Sequence, residues 1–116
     1  MSISVVILTF NRKDHVLDCV QSIIHQNFED DYEIIIIDNW SEDGSFEKLE
    51  SKFSGFSNVK IVRPPKRTGI AAGRNYGLQI AEGRIVAFVD DDCIATRSWL
   101  SEINSAFKDE TVGCVG

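Results

Sequence analysis

The sequence has 116 residues, is 43% hydrophobic and carries a formal net charge of −6, which is enough for one domain with a small core and leaves no room for a second. The negative charge argues against nucleic acid as a partner, because binding to a phosphate backbone depends on clustered lysine and arginine. The three cysteines match neither a disulfide framework nor a paired metal motif, and the N-terminal apolar run is too short for a signal peptide or a membrane span, so we expect a cytoplasmic protein with no membrane segment.

The chain opens with a predicted strand that leads into a helix. Residues 3–10 form a nearly continuous, β-branched apolar run, which is typical of a strand covered on both faces. Asn11 stands where a residue can cap a helix, and Asp14 follows three positions later as its partner in a variant of the capping box. Apolar residues at helical spacing over 16–24 predict the helix itself.

The same alternation recurs through the middle of the chain. Residues 33–38 predict a second buried strand, followed by a turn and a short helix over 46–53. Residues 59–62 predict a third strand, which two prolines stop because they cannot donate ladder hydrogen bonds. A helix over 70–81 follows, with Gly83 placed as its C-terminal cap.

The last part of the chain holds a fourth predicted strand, over 85–89, that runs directly into the aspartates at 90–92. A helical apolar stripe over 99–107 follows, and residues 111–115 predict a fifth strand. Strands that alternate with helices predict an α/β, Rossmann-like fold with a mainly parallel sheet and right-handed crossovers.

The aspartate triplet at residues 90–92 is the most informative motif. Adjacent carboxylates repel one another, so three of them at a strand end favour a bound divalent cation. Oxygen ligands of this kind suit Mg²⁺ or Mn²⁺, which are commonly shared with substrate phosphates. The alternative is a solvated loop that caps the next helix.

Polar residues of both charges follow the predicted strands, at the carboxyl ends where α/β folds bind ligands. We call this end of the sheet the edge. A nucleoside diphosphate would use both: carboxylates for the ribose and base, and a metal with basic side chains for the diphosphate. The residues are Thr9, Asn11 and Arg12 after the first strand, Asp38 and Asn39 after the second, Arg63, Lys66 and Arg67 after the third, and Asp90, Asp91 and Asp92 after the fourth.

Four segments, at residues 5–12, 36–45, 69–77 and 81–92, fall in the order and spacing of family 2 glycosyltransferases. The chain resembles the nucleotide-sugar-binding part of their GT-A fold over nearly all of its length. The resemblance implies an enzyme that transfers a sugar from a nucleotide-diphosphate donor, most commonly a UDP-sugar, to an acceptor hydroxyl with the assistance of Mn²⁺ or Mg²⁺.

The resemblance also implies roles for individual residues at this edge. The nucleotide pocket would be lined by Thr9, Asn11 and Arg12, and the base would be bound by Asp38. The ribose and diphosphate would lie near Asp90 and Asp91, and the metal would be held by Asp92 with Asp90 as an Asp-x-Asp motif. Arg74 and Asn75 would open toward the same cleft. Two plainer alternatives remain: Asp38 caps the turn after its strand, and Arg74 pairs with Glu82 on the surface.

Three positions depart from the family pattern, and one of them is Arg97, where the family often has proline. Trp40 stands where a glycine is usual, in a turn that favours positive φ, so either the turn differs or Trp40 covers the nucleotide pocket. Cys93 follows the carboxylates where a fourth acid is common.

The family continues into an acceptor-binding part that supplies the general base. We therefore expect residues 1–116 to form the nucleotide-sugar-binding portion of a truncated GT-A domain, with the acceptor portion absent and the base beyond Gly116. An exposed edge strand predicts a homo-oligomer. The expected sequence beyond Gly116 leaves membrane association open. The alternative is a noncatalytic nucleotide-binding or interaction domain. No residue identifies the sugar or the acceptor.

Overall fold

Four strands alternate with four helices, and this confirms the α/β fold class. The computed structural model describes all residues from 1 to 116. The elements in chain order are β1 (Ile3–Thr9), α1 (Lys13–Ile24), β2 (Tyr32–Asp38), α2 (Ser45–Phe53), β3 (Val59–Val62), α3 (Ile70–Ile80), β4 (Ile85–Asp90) and α4 (Trp99–Ala106).

The strands form one parallel sheet in the order β3-β2-β1-β4. The central strand β1 pairs with β2 and with β4, which sets Thr9 opposite Asp38 and Leu8 opposite Asp90. Because parallel strands all end at the same edge, the polar residues that follow them meet there. The strand order also reverses between β1 and β4, and this reversal opens the crevice in which α/β sheets bind ligands.

The helices cover the two faces of the sheet unequally. The main core holds 14 buried residues and joins α1, α2 and α4 to one face. On the other face α3 covers a smaller cluster of Val6, Ile35 and Ile37. Strands β1 and β2 are buried along both faces, as their continuous apolar runs predict, whereas Phe88 of β4 is exposed.

Helix α3 lies unusually close to the sheet because glycines face it. A Cβ atom at Gly77 would lie 2.6 Å from Val6 and 2.7 Å from Ile37, and one at Gly73 would lie 2.8 Å from Leu8. These glycines therefore fix the distance between α3 and the strands that end at the crevice.

The predicted cap of α1 is wrong. The N-cap residue is Arg12, whose side chain makes no capping hydrogen bond; the Lys13 N–H at the start of the helix donates instead to Asp43 Oδ2 at 3.0 Å. Asn11 instead adopts a left-handed φ of 51°, and its Oδ1 accepts a hydrogen bond from the Glu42 N–H at 2.7 Å. The Asn11 side chain therefore joins the loops after β1 and β2 and does not cap α1.

Two predictions in the second half of the chain are also wrong. Gly83 does not cap α3, whose C-cap is Ala81; a Cβ at Gly83 would lie 2.5 Å from the Ser4 nitrogen, so close backbone contact requires the glycine. Residues 111–116 form no strand, since they make no ladder hydrogen bonds with β4. None of the helices has the length and hydrophobicity needed to cross a bilayer.

Candidate functional site

The crevice between β1 and β4 is closed by a hydrogen bond between the predicted site residues Thr9 and Asp91. The Thr9 hydroxyl donates to Asp91 Oδ2 at 2.9 Å, and both residues are buried. Arg12 adds an ion pair, with its Nη1 3.4 Å from Asp91 Oδ1. Asp91 therefore faces inward and links the ends of the two strands.

The other two aspartates of the triplet face solvent. Ligand atoms of Asp90, Asp92 and Cys93 all lie within 4.8 Å of one another, and all three residues are exposed. Asp91 and Asp92 lie in the turn that follows β4, and this turn leaves Asp91 buried while Asp90 and Asp92 are exposed. The structure thus brings together the two carboxylates predicted to hold a metal. The oxygen donors fit Mg²⁺ or Mn²⁺, and the adjacent sulfur is a softer donor.

Two arginines flank this exposed cluster. Arg12 Nη1 lies 3.4 Å from Asp92 Oδ2, and Arg74 Nη2 lies 3.3 Å from Asp90 Oδ1. The predicted alternative partner of Arg74, Glu82, is not among its contacts. Asn75 lines an open groove of about 680 Å³ together with Arg74 and Asp90. The cluster thus combines carboxylates with cations, as the sequence predicts.

A neutral thiol lies below the carboxylates. Cys19 of α1 is buried, and its Sγ donates to the Asp90 carbonyl oxygen at 3.5 Å. Burial, followed by the nearby Cys93 and the aspartates at 90–92, raises the pKa of the Cys19 thiol to about 12. The Cys19 thiol therefore stays neutral near pH 7 and adds no negative charge beneath the exposed carboxylates.

Asp38 lies at the same edge, next to β1, and its carboxylate is 0% exposed. Its Oδ2 accepts hydrogen bonds from the Ser41 N–H at 3.1 Å and from Arg63 Nε at 2.9 Å. Its Oδ1 has no partner in the protein. The hydrogen bond from Ser41 to Oδ2 confirms the turn-capping alternative for Asp38, while Oδ1 is buried without a partner.

An arginine and two aromatic rings stand beside Asp38; we call Trp40, Phe46 and Arg63 the Arg63 stack. The guanidinium carbon lies 4.7 Å from the ring centroid of Trp40 and 4.2 Å from that of Phe46. Trp40 adopts a φ of 64°, as a turn that favours glycine requires, and its Nε1 donates to the Pro64 carbonyl at 2.9 Å. Sequence reasoning placed Arg63 at this edge but missed the stack; the tryptophan in place of glycine was its only signal.

The loops of the edge are tied to one another by side chains. The Asn11 N–H donates to Ser41 Oγ at 2.9 Å, joining the loops after β1 and β2. Asn39 exchanges two hydrogen bonds with the backbone of Thr68, at 2.7 and 3.0 Å, and so fixes the loop that precedes α3. Asn11 and Asn39 therefore shape the edge through backbone contacts.

Comparison with known proteins agrees with the resemblance in the sequence. The family model described as Glycosyl transferase family 2 matches residues 4–116. Glycosyltransferase AglE of Haloferax volcanii is 30% identical over 115 residues, covering 98% of this chain and 38% of the relative. The chain therefore spans less than two-fifths of that relative's length.

Solved structures share the fold. S. aureus TarS 1–349 in complex with UDP-GlcNAc superimposes with a TM-score of 0.83 at 29% identity, over 95% of this chain and 32% of that one. The mannosyltransferase PcManGT from Pyrobaculum calidifontis, in complex with GDP-Man and Mn²⁺, superimposes with a TM-score of 0.88 at 26% identity, over 97% of this chain and 35% of that one. Both are GT-A fold enzymes, and the four-stranded parallel sheet matches them.

Proposed function

The chain belongs to family 2 of the glycosyltransferases, and from this premise we propose that it forms the donor side of a sugar transfer from a nucleoside diphosphate to an acceptor hydroxyl. One observation carries the proposal: exposed carboxylates and arginines converge at the point where the strand order of the parallel sheet reverses. A nucleotide-sugar is the ligand whose diphosphate uses both kinds of charge.

The diphosphate end of the donor is assigned to the exposed cluster. Asp90 and Asp92 would hold Mn²⁺ or Mg²⁺, because their oxygens lie close together and face solvent. When bound, the ion supplies positive charge that stabilises the diphosphate as it leaves the sugar. Arg12 and Arg74 already lie against the same carboxylates and can donate charge-assisted hydrogen bonds to phosphate oxygens. Asn75 follows Arg74 on α3 and lines the adjoining groove.

The nucleoside end is assigned to the β1 and β2 side of the edge. Asp38 would accept a hydrogen bond from the base through the oxygen that has no protein partner. Thr9 and Asp91 would form the floor beneath the ribose, since their mutual hydrogen bond fixes the base of the crevice. Asn11 would shape the pocket wall through its contacts with the next loop.

The donor is proposed to be a UDP-sugar, and the relatives support a nucleotide-sugar in general. TarS has been solved with UDP-GlcNAc, and PcManGT with GDP-Man and Mn²⁺. The general base and the acceptor site are proposed to lie in sequence beyond Gly116, because the curated relative AglE is matched over only 38% of its length.

Calorimetric titration with UDP, GDP and CDP tests the donor site, each with Mn²⁺ and again with EDTA. We expect one nucleotide to bind only with the metal, and Asp92→Ala to weaken that binding by at least about tenfold, the loss of one charged contact. Asp30→Ala removes an exposed carboxylate away from the edge and is the matched control. Equal binding by the two variants, or no nucleotide binding to the folded chain, would contradict the proposal.

A further inference from the structure

Arg63 is held in place from three sides and still has unused hydrogen-bond donors. Its Nε donates to the buried Asp38 carboxylate, and its guanidinium lies over the rings of Trp40 and Phe46. A guanidinium has five N–H donors, and no protein group accepts from either Nη of Arg63. The side chain is 22% exposed, so part of it remains open to a ligand.

Two features around Arg63 carry an energetic cost in the free protein that a bound ligand would offset. Trp40 occupies a backbone conformation that bulky residues rarely adopt, and this conformation places its ring over the guanidinium. Asp38 keeps one buried carboxylate oxygen without a partner, an arrangement that is uncommon because burial deprives the oxygen of water. Both features lie at the same place, next to the donors that Arg63 leaves unused.

We propose that Arg63 is the residue that selects the nucleobase, by donating from its Nη groups to a base carbonyl. This inference rests on the proposed function and adds base selection to it. Donors on Arg63 beside the unpaired acceptor on Asp38 match a base edge on which a carbonyl adjoins a ring N–H, as in uracil and guanine. Cytosine and adenine carry the reverse pattern, an amino group beside a bare ring nitrogen, so the arginine would face another donor.

The first test compares UDP, GDP, CDP and ADP on the unaltered chain with Mn²⁺. We expect UDP or GDP to bind at least about tenfold more tightly than CDP and ADP, because one mispaired polar contact costs about that factor. A preference for CDP or ADP would overturn the inference. Failure of all four nucleotides to bind the folded chain would overturn both this inference and the proposed function.

The second test changes the arginine. Arg63→Met should weaken the preferred nucleotide by about 10- to 100-fold and remove the discrimination between bases. It should leave the affinity for Mn²⁺ with pyrophosphate unchanged, since pyrophosphate has no base. Arg63→Lys, which keeps the charge, should restore part of the discrimination. Arg84→Met removes an exposed arginine at the start of β4, far from the edge, and should match the unaltered chain.

Two results of this test count against Arg63 while leaving the donor site intact. Unchanged base discrimination in Arg63→Met shows that the residue does not select the base. An equal loss of pyrophosphate affinity shows that Arg63 acts only as a general positive charge.

If Arg63→Met does not fold, as thermal unfolding would reveal, the ligand is changed instead. The diphosphate of pyrimidin-2-one riboside lacks the C4 carbonyl and N3–H of uracil, and that of 2-aminopurine riboside lacks the C6 carbonyl and N1–H of guanine. Both should then bind the unaltered chain as weakly as CDP; binding as tight as UDP or GDP overturns the inference.

Discussion

Asp90, Asp91 and Asp92 are the same residue type in sequence, but each has different neighbours in the fold. Asp91 accepts the Thr9 hydroxyl in a buried contact, whereas Asp90 and Asp92 face solvent beside arginines. The middle aspartate therefore contributes to the stability of the crevice, and the outer two carry its charge.

This division predicts opposite behaviour for two neighbouring substitutions. Asp91→Ala should lower the free energy of unfolding by about 1–3 kcal/mol, because the buried Thr9 hydroxyl loses its acceptor. Asp92→Ala should leave the free energy of unfolding within about 0.5 kcal/mol, because the side chain is exposed. Urea denaturation of the two variants measures both values. An Asp92 variant that loses more stability than the Asp91 variant would refute the assignment.

The candidate site could be predicted from sequence where it depends on position along a strand. Thr9, Asp38 and Asp90 lie at strand ends, and the in-register parallel pairing brings them to one edge. The Arg63 stack could not be predicted in this way, because it depends on the rotation of a loop residue, Trp40, into positive φ. Nothing in the local sequence indicates which aromatic ring an arginine will lie against.

At the scale of the elements, the amino end of the sheet is fastened by one buried glutamate. Glu33 of β2 accepts hydrogen bonds from the Ser4 hydroxyl, at 2.5 Å, and the Glu82 N–H, at 2.7 Å, and pairs with Lys60 at 2.9 Å. The Gly83 N–H in turn donates to Ser4 Oγ at 2.7 Å. A single carboxylate thus joins three strands to the connection between α3 and β4.

This arrangement predicts a pH-dependent loss of stability. Burial alone would raise the pKa of Glu33, but hydrogen bonds from Ser4, Glu82 and Lys60 outweigh it and hold the pKa below its ordinary value of 4.5. The ionised carboxylate therefore contributes stability that is complete above pH 4.5 and is lost as the pH falls through the lower, folded-state pKa. Glu33→Gln should cost about 1–3 kcal/mol at pH 7, and the difference from the unaltered chain should shrink in acid.

Chemical denaturation across a pH series measures this difference. Glu29→Gln, at an exposed glutamate, is the control and should show neither the loss nor its pH dependence. A Glu33→Gln deficit that stays constant from pH 7 to below the folded-state pKa would mean that the carboxylate's charge is not the source of the stability.

Element type was easier to predict than element ends. Continuous apolar runs identify β1 and β2 because both faces of the central strands are covered. The end of α3 and the role of Gly83 depend instead on contact with Ser4, a residue far away in sequence. Residues 111–115 have the composition of a strand, but composition alone does not provide a hydrogen-bonding neighbour.

At the scale of the whole molecule, the free side of β4 carries apolar surface that the fold leaves open. It borders a groove of about 570 Å³ formed by β4, α4 and residues 113–116. β4 is an edge strand of the sheet, so the backbone of β4 is also unpaired on its outer side. Unpaired strand edges beside apolar surface favour association with another chain.

We therefore expect the chain to self-associate through β4. Phe88→Lys should lower the average mass in solution, because Phe88 is 45% exposed on that strand. Phe56→Lys changes a phenylalanine of similar exposure, 42%, outside β4 and should leave the mass unchanged. Sedimentation equilibrium over a range of concentrations distinguishes the two variants, and a monomer mass for the unaltered chain at every concentration would contradict the expectation.

The strand order also determines when each strand can find its partner during synthesis on the ribosome. The central strand β1 is synthesised first, yet its neighbour β4 pairs Ile85 with Ile3 and so emerges from the ribosome about 80 residues later. At about 5–20 residues per second, that delay is on the order of 4–16 s. During this interval the nascent chain presents one unpaired side of its most hydrophobic strand. A chaperone that holds such strands during translation should therefore bind before β4 emerges and be released once β4 has paired.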